Sequence, residues 1–146
     1  MLELGVIADD LTGGMMIASL LEREGVPCPL VTSAEALDNL SDDAEAVVIG
    51  RKIRLIPAAD AAADAQHSAE GLLAKDTKRI YYKYCATFDS TDQGNIGPIG
   101  EALMETTKTD RVTFCPAFPE YSVTIFQGRM FLGGIMLGES GKRFDP

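Results

Sequence analysis

A single histidine, three cysteines and a shortage of positive charge narrow what this sequence can do before any motif is read. His67 stands alone, which removes every two-histidine metal motif, and on an alanine-rich helical run it reads as a solvated side chain. Cys28, Cys85 and Cys115 are odd in number and form no Cys-x-x-Cys pair, so neither a disulfide framework nor a zinc site is expected. In or beside apolar runs, they read as buried thiols. Lys and Arg number 13 against 22 Asp and Glu, a net charge of -9 that repels nucleic acid and anionic membrane. No apolar run approaches the roughly 18 residues of a spanning helix, and the opening MLELG has no basic leader ahead of an apolar signal core. Absent too are the dinucleotide fingerprint, the Gly-Lys-Ser or Gly-Lys-Thr of a phosphate loop, internal repeats and low-complexity linkers. These absences predict a cytoplasmic protein with no nucleic-acid or membrane partner. An anionic ligand would need a local basic pocket to override the global field, and Lys52, Arg54 and Lys83 are the candidates.

What is present alternates between short apolar runs and longer amphipathic ones. Residues 2–8, 27–31, 46–49, 79–85 and 111–115 read as strands, being β-branched, aromatic or continuously apolar. Between them, residues 14–24 read as a helix ended by Gly25, 33–40 as a short helix or loop, 57–75 as the longest helix and 96–106 as another. The alternation predicts an α/β domain of three layers, a mainly parallel sheet with helices on both faces. After Thr124 the pattern changes to two short strands joined at Gly133 and Gly134, a C-terminal β-hairpin. With 146 residues the chain is one domain, long enough to bury roughly 70% of its unfolded surface.

The chemistry gathers where these strands end. Asp9 and Asp10 follow the first strand and open a helix, where a carboxylate can cap the backbone or accept a hydroxyl hydrogen bond or its proton. Arg51, Lys52 and Arg54 follow the third. Lys83 interrupts the apolar strand of residues 79–85, and Asp89, Ser90, Thr91 and Asp92 come after it, ahead of Gly94, Asn95, Gly97, Pro98 and Gly100. Capping needs only one short polar side chain, so the surplus suggests a ligand. Ligands of open α/β sheets bind beyond the carboxyl ends of the strands. Asp10, Lys52, Asp89 and Pro116 are therefore expected along one sheet edge.

The stretch KYCATFDSTDQGNIGPI resembles the lysine, Asp-Ser-Thr and Gly-Asn-Ile-Gly signature of the four-carbon acid sugar kinases, most closely the branch called 3-oxo-tetronate kinase. GVIADDLTGG, RKIRLIPAADA and CPAFPEYSVTIFQGRMFLGGIMLGESGKRFDP extend the resemblance over essentially the whole chain. It implies that residues 1–146 form the sugar-acid-binding N-terminal domain of a longer kinase, the C-terminal ATP-binding domain being absent from this chain. ATP and Mg²⁺ would then belong to the full-length family and not be bound by this domain alone. The implied partners are a small anionic sugar acid, a separate chain carrying the ATP domain, and a second copy in a homodimer. By the same resemblance Asp9 and Asp10 bind substrate hydroxyls, with Asp10 the candidate base. Lys52, Arg54 and Lys83 neutralise the acid or the transferring phosphate. Asp89, Ser90, Thr91, Gly94 and Asn95 orient the substrate.

The chain departs from the family pattern at several positions. Met16 stands where an aspartate is usual, Leu55 where a serine is usual, Tyr121, Ser122 and Val123 where Asn-Gly-Arg is usual, and Arg129 in place of a histidine. These departures and the missing domain predict little activity for the chain alone. They leave open a second class, a stand-alone sugar-acid-binding module or inactive remnant. A third, a phospho-acceptor signalling domain, fails because the third strand ends in Gly50, Arg51 and Lys52 with no aspartate to modify.

Overall fold

The computed structural model describes residues 2–86 and 92–144. Four parallel strands, β1 (Leu4–Ala8), β2 (Leu30–Val31), β3 (Ala46–Gly50) and β4 (Ile80–Lys83), form one sheet in the order β2-β3-β1-β4. Every residue of β3 and all but the first of β1 is buried, because helices cover both faces of the sheet. On one face Val6, Ala8, Ala46 and Val48 pack with Ile17 and Leu21 of α1 (Leu11–Arg23). On the other, Ile7, Val47 and Ile49 pack with Ala61, Ala65, Ala69 and Leu72 of α2 (Ala58–Ala74) and with Ile99 and Leu103 of α3 (Ile96–Thr107). The three layers expected from the alternation are in place. Among the described residues no helix is long and apolar enough to cross a membrane.

Local chemistry explains the element ends. Helix α1 starts ahead of the expected boundary because the Asp10 carboxylate accepts the Gly13 N–H at 2.7 Å and caps it. It stops at Glu24 because Gly25 takes φ +83°, and the Val26 N–H closes back onto the Leu21 carbonyl at 3.0 Å. Strand β2 is shorter than the run 27–31. Pro27 and Pro29 still accept from Ala46 and Val48 of β3, at 3.1 and 2.9 Å, but have no N–H to give back. Glycine at position 5 lets α2 approach the sheet, since a Cβ there would lie 2.7 Å from both methyls of Leu72.

Several expectations are corrected. Strand β4 ends at Lys83, not Cys85, because its neighbour β1 ends at Ala8 and the last ladder bond runs from the Asp9 N–H to the Lys83 carbonyl at 3.0 Å. Beyond that point β1 has turned into α1. Residues 111–115 are not a strand: 111–117 have no regular structure, and 111–115 are exposed. Phe114 sits against Gly100, where a Cβ would meet its ring at 3.0 Å, and its centroid lies 5.9 Å from that of Tyr84. That seat props the segment away from the free edge of β4 and leaves an apolar groove of about 410 Å³ bordered by Ile80, Tyr82, Leu103 and Val112. Of the cysteines only Cys28 is buried; Cys85 is half-buried and Cys115 exposed. His67 is exposed as expected and meets Glu35 at 2.8 Å, tying a 3-10 turn at Glu35–Asn39 to α2.

The C-terminal part is a second, antiparallel sheet of three strands, β5 (Val123–Phe126), β6 (Arg129–Leu132) and β7 (Ile135–Met136). The hairpin at Gly133–Gly134 is present. A further tight turn at Gln127–Gly128, both residues at positive φ, splits the run that reads as one strand into two.

Candidate functional site

The site grows from the end of β1. Asp9 follows the last buried residue of that strand and is itself only 1% exposed. Its carbonyl accepts the N–H groups of Ile53 at 3.0 Å and Arg54 at 3.2 Å, while the Ala8 carbonyl takes the N–H of Arg51 at 2.8 Å. The backbone after β3 is thereby hooked over the end of β1, and Arg54 is brought above the paired carboxylates. Its guanidinium reaches Asp9 at 3.3 Å and 3.5 Å and also donates to Oδ2 of Asp10. The other oxygen of Asp10 holds the cap of α1. One arginine thus ties both acids to the loop after the neighbouring strand.

Lys83 enters from the opposite neighbour of β1. It is 9% exposed, and its ammonium donates to the Tyr84 carbonyl. Nζ lies 3.5 Å from where a Cβ on Gly13 would sit, so the glycine leaves room for the charge over the first turn of α1. No carboxylate forms an ion pair with Lys83 among the described residues. Burial holds the Asp9 carboxyl above the ordinary carboxylate range, with the Arg54 hydrogen bonds and charge pulling it down less strongly. Burial also opposes the Arg54 charge, and its acidic partners more than offset that, leaving the guanidinium more firmly protonated than usual.

The expected site residues divide. Asp9, Asp10, Arg54 and Lys83 are brought together at the carboxyl edge. Lys52 is exposed and makes no hydrogen bond or ion pair among the described residues. Its neighbour Arg51 leaves the expected basic cluster altogether, because its guanidinium grips Asp64 of α2 at 2.7 and 2.6 Å. Asn95 is 2% exposed and acts on the loop: its side-chain amide donates to the carbonyls of Ile53 and, at 2.7 Å, Arg54. It therefore positions Arg54 from beneath, a role that its place ahead of a helix gave no reason to expect. Gly94 lies two residues ahead of the start of α3. Asp89, Ser90 and Thr91 lie outside the described residues. Pro116, though not at a strand end, still lies near Lys83: both line a cleft of about 140 Å³ with Met16, Ile17 and Phe118. Met16 makes the wall of that cleft apolar where the resemblance calls for an acid. Val123 is buried and Arg129 sits on the C-terminal hairpin beside Met136, so neither joins the cluster around Asp9. Among the described residues no group of three or more His, Cys, Asp or Glu could hold a metal ion.

Polar side chains from the ends of three parallel strands, gathered beside a helix N-terminus, are the arrangement of an α/β domain that binds a small polar molecule. A family model described as a sugar-binding N-terminal domain matches residues 4–146, and the chain belongs to that family. It is 43% identical over 143 residues to the 3-oxo-tetronate kinase of Burkholderia multivorans, covering 98% of this chain and 33% of that protein. To the 3-oxo-tetronate kinase of Escherichia coli K12 it is 39% identical over 146 residues, covering 100% and 37%. The chain spans about a third of the length of these curated relatives and matches their N-terminal sugar-binding domain. Among solved structures, a Salmonella typhimurium LT2 protein superimposes with a TM-score of 0.90 at 38% identity, covering 100% of this chain and 35% of that one. A Bordetella bronchiseptica protein, crystallised with bound citrate as a domain-swapped dimer, gives 0.86 at 30% identity, covering 99% and 36%.

Proposed function

We propose that residues 1–146 are the sugar-acid-binding domain of an ATP-dependent kinase acting in the cytoplasm on a four-carbon acid such as 3-oxo-tetronate. The observation that carries this reading is the convergence of Arg54 and Lys83, in a chain of net charge -9, on the pair Asp9 and Asp10. Among the described residues two cations oppose the two carboxylates, which offsets there the acidic field of the chain as a whole. Lys83, which pairs with no carboxylate among the described residues, would meet the ligand's carboxylate. Asp10, on the rim of the cluster, would accept a ligand hydroxyl and, in the complete kinase, its proton. Asp89, Ser90 and Thr91 are assigned to orienting the acid on sequence resemblance alone.

We assign nucleotide and Mg²⁺ to the rest of the full-length kinase, because no Gly-Lys-Ser or Gly-Lys-Thr follows Gly13 and Gly14. The glycines Gly13 and Gly14 open a helix capped by Asp10, and both acids beside it are held by Arg54. The domain alone is therefore expected to bind the acid without phosphorylating it. Citrate bound to the Bordetella protein supports a small anionic acid as ligand class, and its domain-swapped dimeric form supports a homodimer here. Calorimetric titration of the chain with 3-oxo-tetronate, a stable tetronate analogue and citrate tests the reading. Lys83→Met should weaken binding by about 1.5–3 kcal/mol, the worth of a charged hydrogen bond, while the melting temperature moves by only a few degrees. Equal affinities would remove Lys83 from the site, and no binding of any of the three acids would overturn the reading.

A further inference from the structure

The cleft beside Lys83 has a charged end and an apolar wall. Gly13, Met16, Ile17 and Leu20 recur at helical spacing on one face of α1, and the last three line the cleft. Tyr81 and Lys83 face that helix, because they stand in register with Val6 and Ala8, which pack with Ile17. Lys83 is the only charged side chain on the lining among the described residues. The polar ones, Tyr81, Tyr84 and Cys115, come from β4, the residue after it and the 111–117 segment, so the α1 wall offers a ligand no polar side chain. Met16 is half-buried and keeps part of its surface open to the cleft. At about 140 Å³ the space is well below the roughly 300–1,000 Å³ of a pocket for a drug-sized ligand, so it takes one end of a small molecule.

The polar end is fixed by Gly13. The point where its Cβ would sit lies 3.2 Å from Oδ2 of Asp10 and 3.5 Å from Nζ of Lys83, so one small molecule can present a hydroxyl to the first and a carboxylate to the second. Met16 follows one helical turn later, about 5.4 Å along the axis, a distance that a short carbon chain spans. We propose that Met16 is a specificity-determining residue and that the acid bound here has an apolar end, an unhydroxylated carbon lying against Met16, Ile17 and Phe118, which rests on the sugar-acid reading above and narrows its substrate class to deoxy acids. A hydroxyl on that carbon exchanges water for a wall with which it forms no hydrogen bond, whereas a methyl gives up nothing and leaves water. The unbranched thioether of Met16 adapts its shape to such a group.

Calorimetric titration with threonate and with 4-deoxythreonate, which differ only in the terminal hydroxyl, reads the preference directly. The unmodified chain should bind the deoxy acid at least about 10-fold more tightly, within what an apolar pocket achieves against an added hydroxyl. Met16→Gln keeps the length of the side chain and supplies a hydrogen-bonding amide, so it should abolish or reverse the preference by raising the affinity for threonate. A merely structural role for Met16 would lower both affinities together. In the unmodified chain the Met16 methyl resonance should move as 4-deoxythreonate is added while that of Met15, which is 56% exposed, stays in place, an observation that needs no variant to fold. Equal affinities, tighter binding of threonate, or a Met16 methyl that does not respond would overturn the apolar end and leave the sugar-acid reading standing. The same holds if neither threonate binds while citrate or 3-oxo-tetronate does, and no binding of any of these acids would overturn both.

Discussion

Arg54 is the residue on which the cluster depends, because it is the shared partner of a carboxylate that water scarcely reaches and of the helix cap beside it. Removing one partner of such a contact leaves a buried charge uncompensated, so Arg54→Met should cost about 1–3 kcal/mol at neutral pH in chemical denaturation. Much of that loss should vanish in an Asp9→Asn background; strictly additive effects would show that the two residues do not stabilise each other. The pH dependence has a definite sign. Burial raises the Asp9 carboxyl above its unfolded value, so the native state holds the proton more tightly. The stability this contributes is fully present below the unfolded value of about 3.9 and is lost as pH rises through the folded one. Measured from about pH 4 upward, the parent chain should therefore lose stability relative to Asp9→Asn until the raised value is passed.

Among the elements, the contact between β1 and α2 is the one with least tolerance. Leu72 is fully buried, and both its methyls touch the space above Gly5. Gly5→Ala should destabilise by about 1–3 kcal/mol through overpacking, and shortening the opposing side chain in Gly5→Ala/Leu72→Val should recover part of it. A single substitution that leaves stability unchanged would mean the helix is free to move off the sheet. The free edge of β4 is the counterpart. Val112 and Phe114 have the alternation of a strand, but Phe114 is seated between Gly100 and Tyr84, and the backbone of residues 111–117 stays outside the ladder. Which contact wins there is a matter of tertiary packing, and alternation cannot report it.

Taken whole, the molecule is a buried parallel sheet joined to a small exposed one, and their stabilities should differ accordingly. Val6, Ile7, Val47, Val48 and Ile49 have no accessible surface, while Ile125, Phe126 and Ile135 are exposed. Native-state hydrogen exchange at monomeric concentration should find amides of β1 and β3 opening only with global unfolding. Those of β5 to β7 should exchange at least about 100-fold faster, through a local opening. Equal protection in both sheets would show that the chain unfolds as one cooperative unit.

The sequence by itself determined the layered α/β class, because continuous apolar strands alternating with amphipathic helices have few other ways to bury both faces of a sheet. It also determined that Asp9, Asp10, Arg54 and Lys83 would stand at strand ends, since each follows or interrupts an apolar run. Only the tertiary structure decided which of them meet. The hook of the 51–54 backbone over the end of β1 turns Arg54 inward and leaves Lys52 in solvent, although the two differ little in composition or position. Asn95 was legible as a helix-start residue, but its hold on the Ile53 and Arg54 carbonyls joins positions more than forty residues apart. Local pattern encodes periodicity and propensity; partners that distant are fixed by the register of strands and the closure of loops, which exist only once the core has packed.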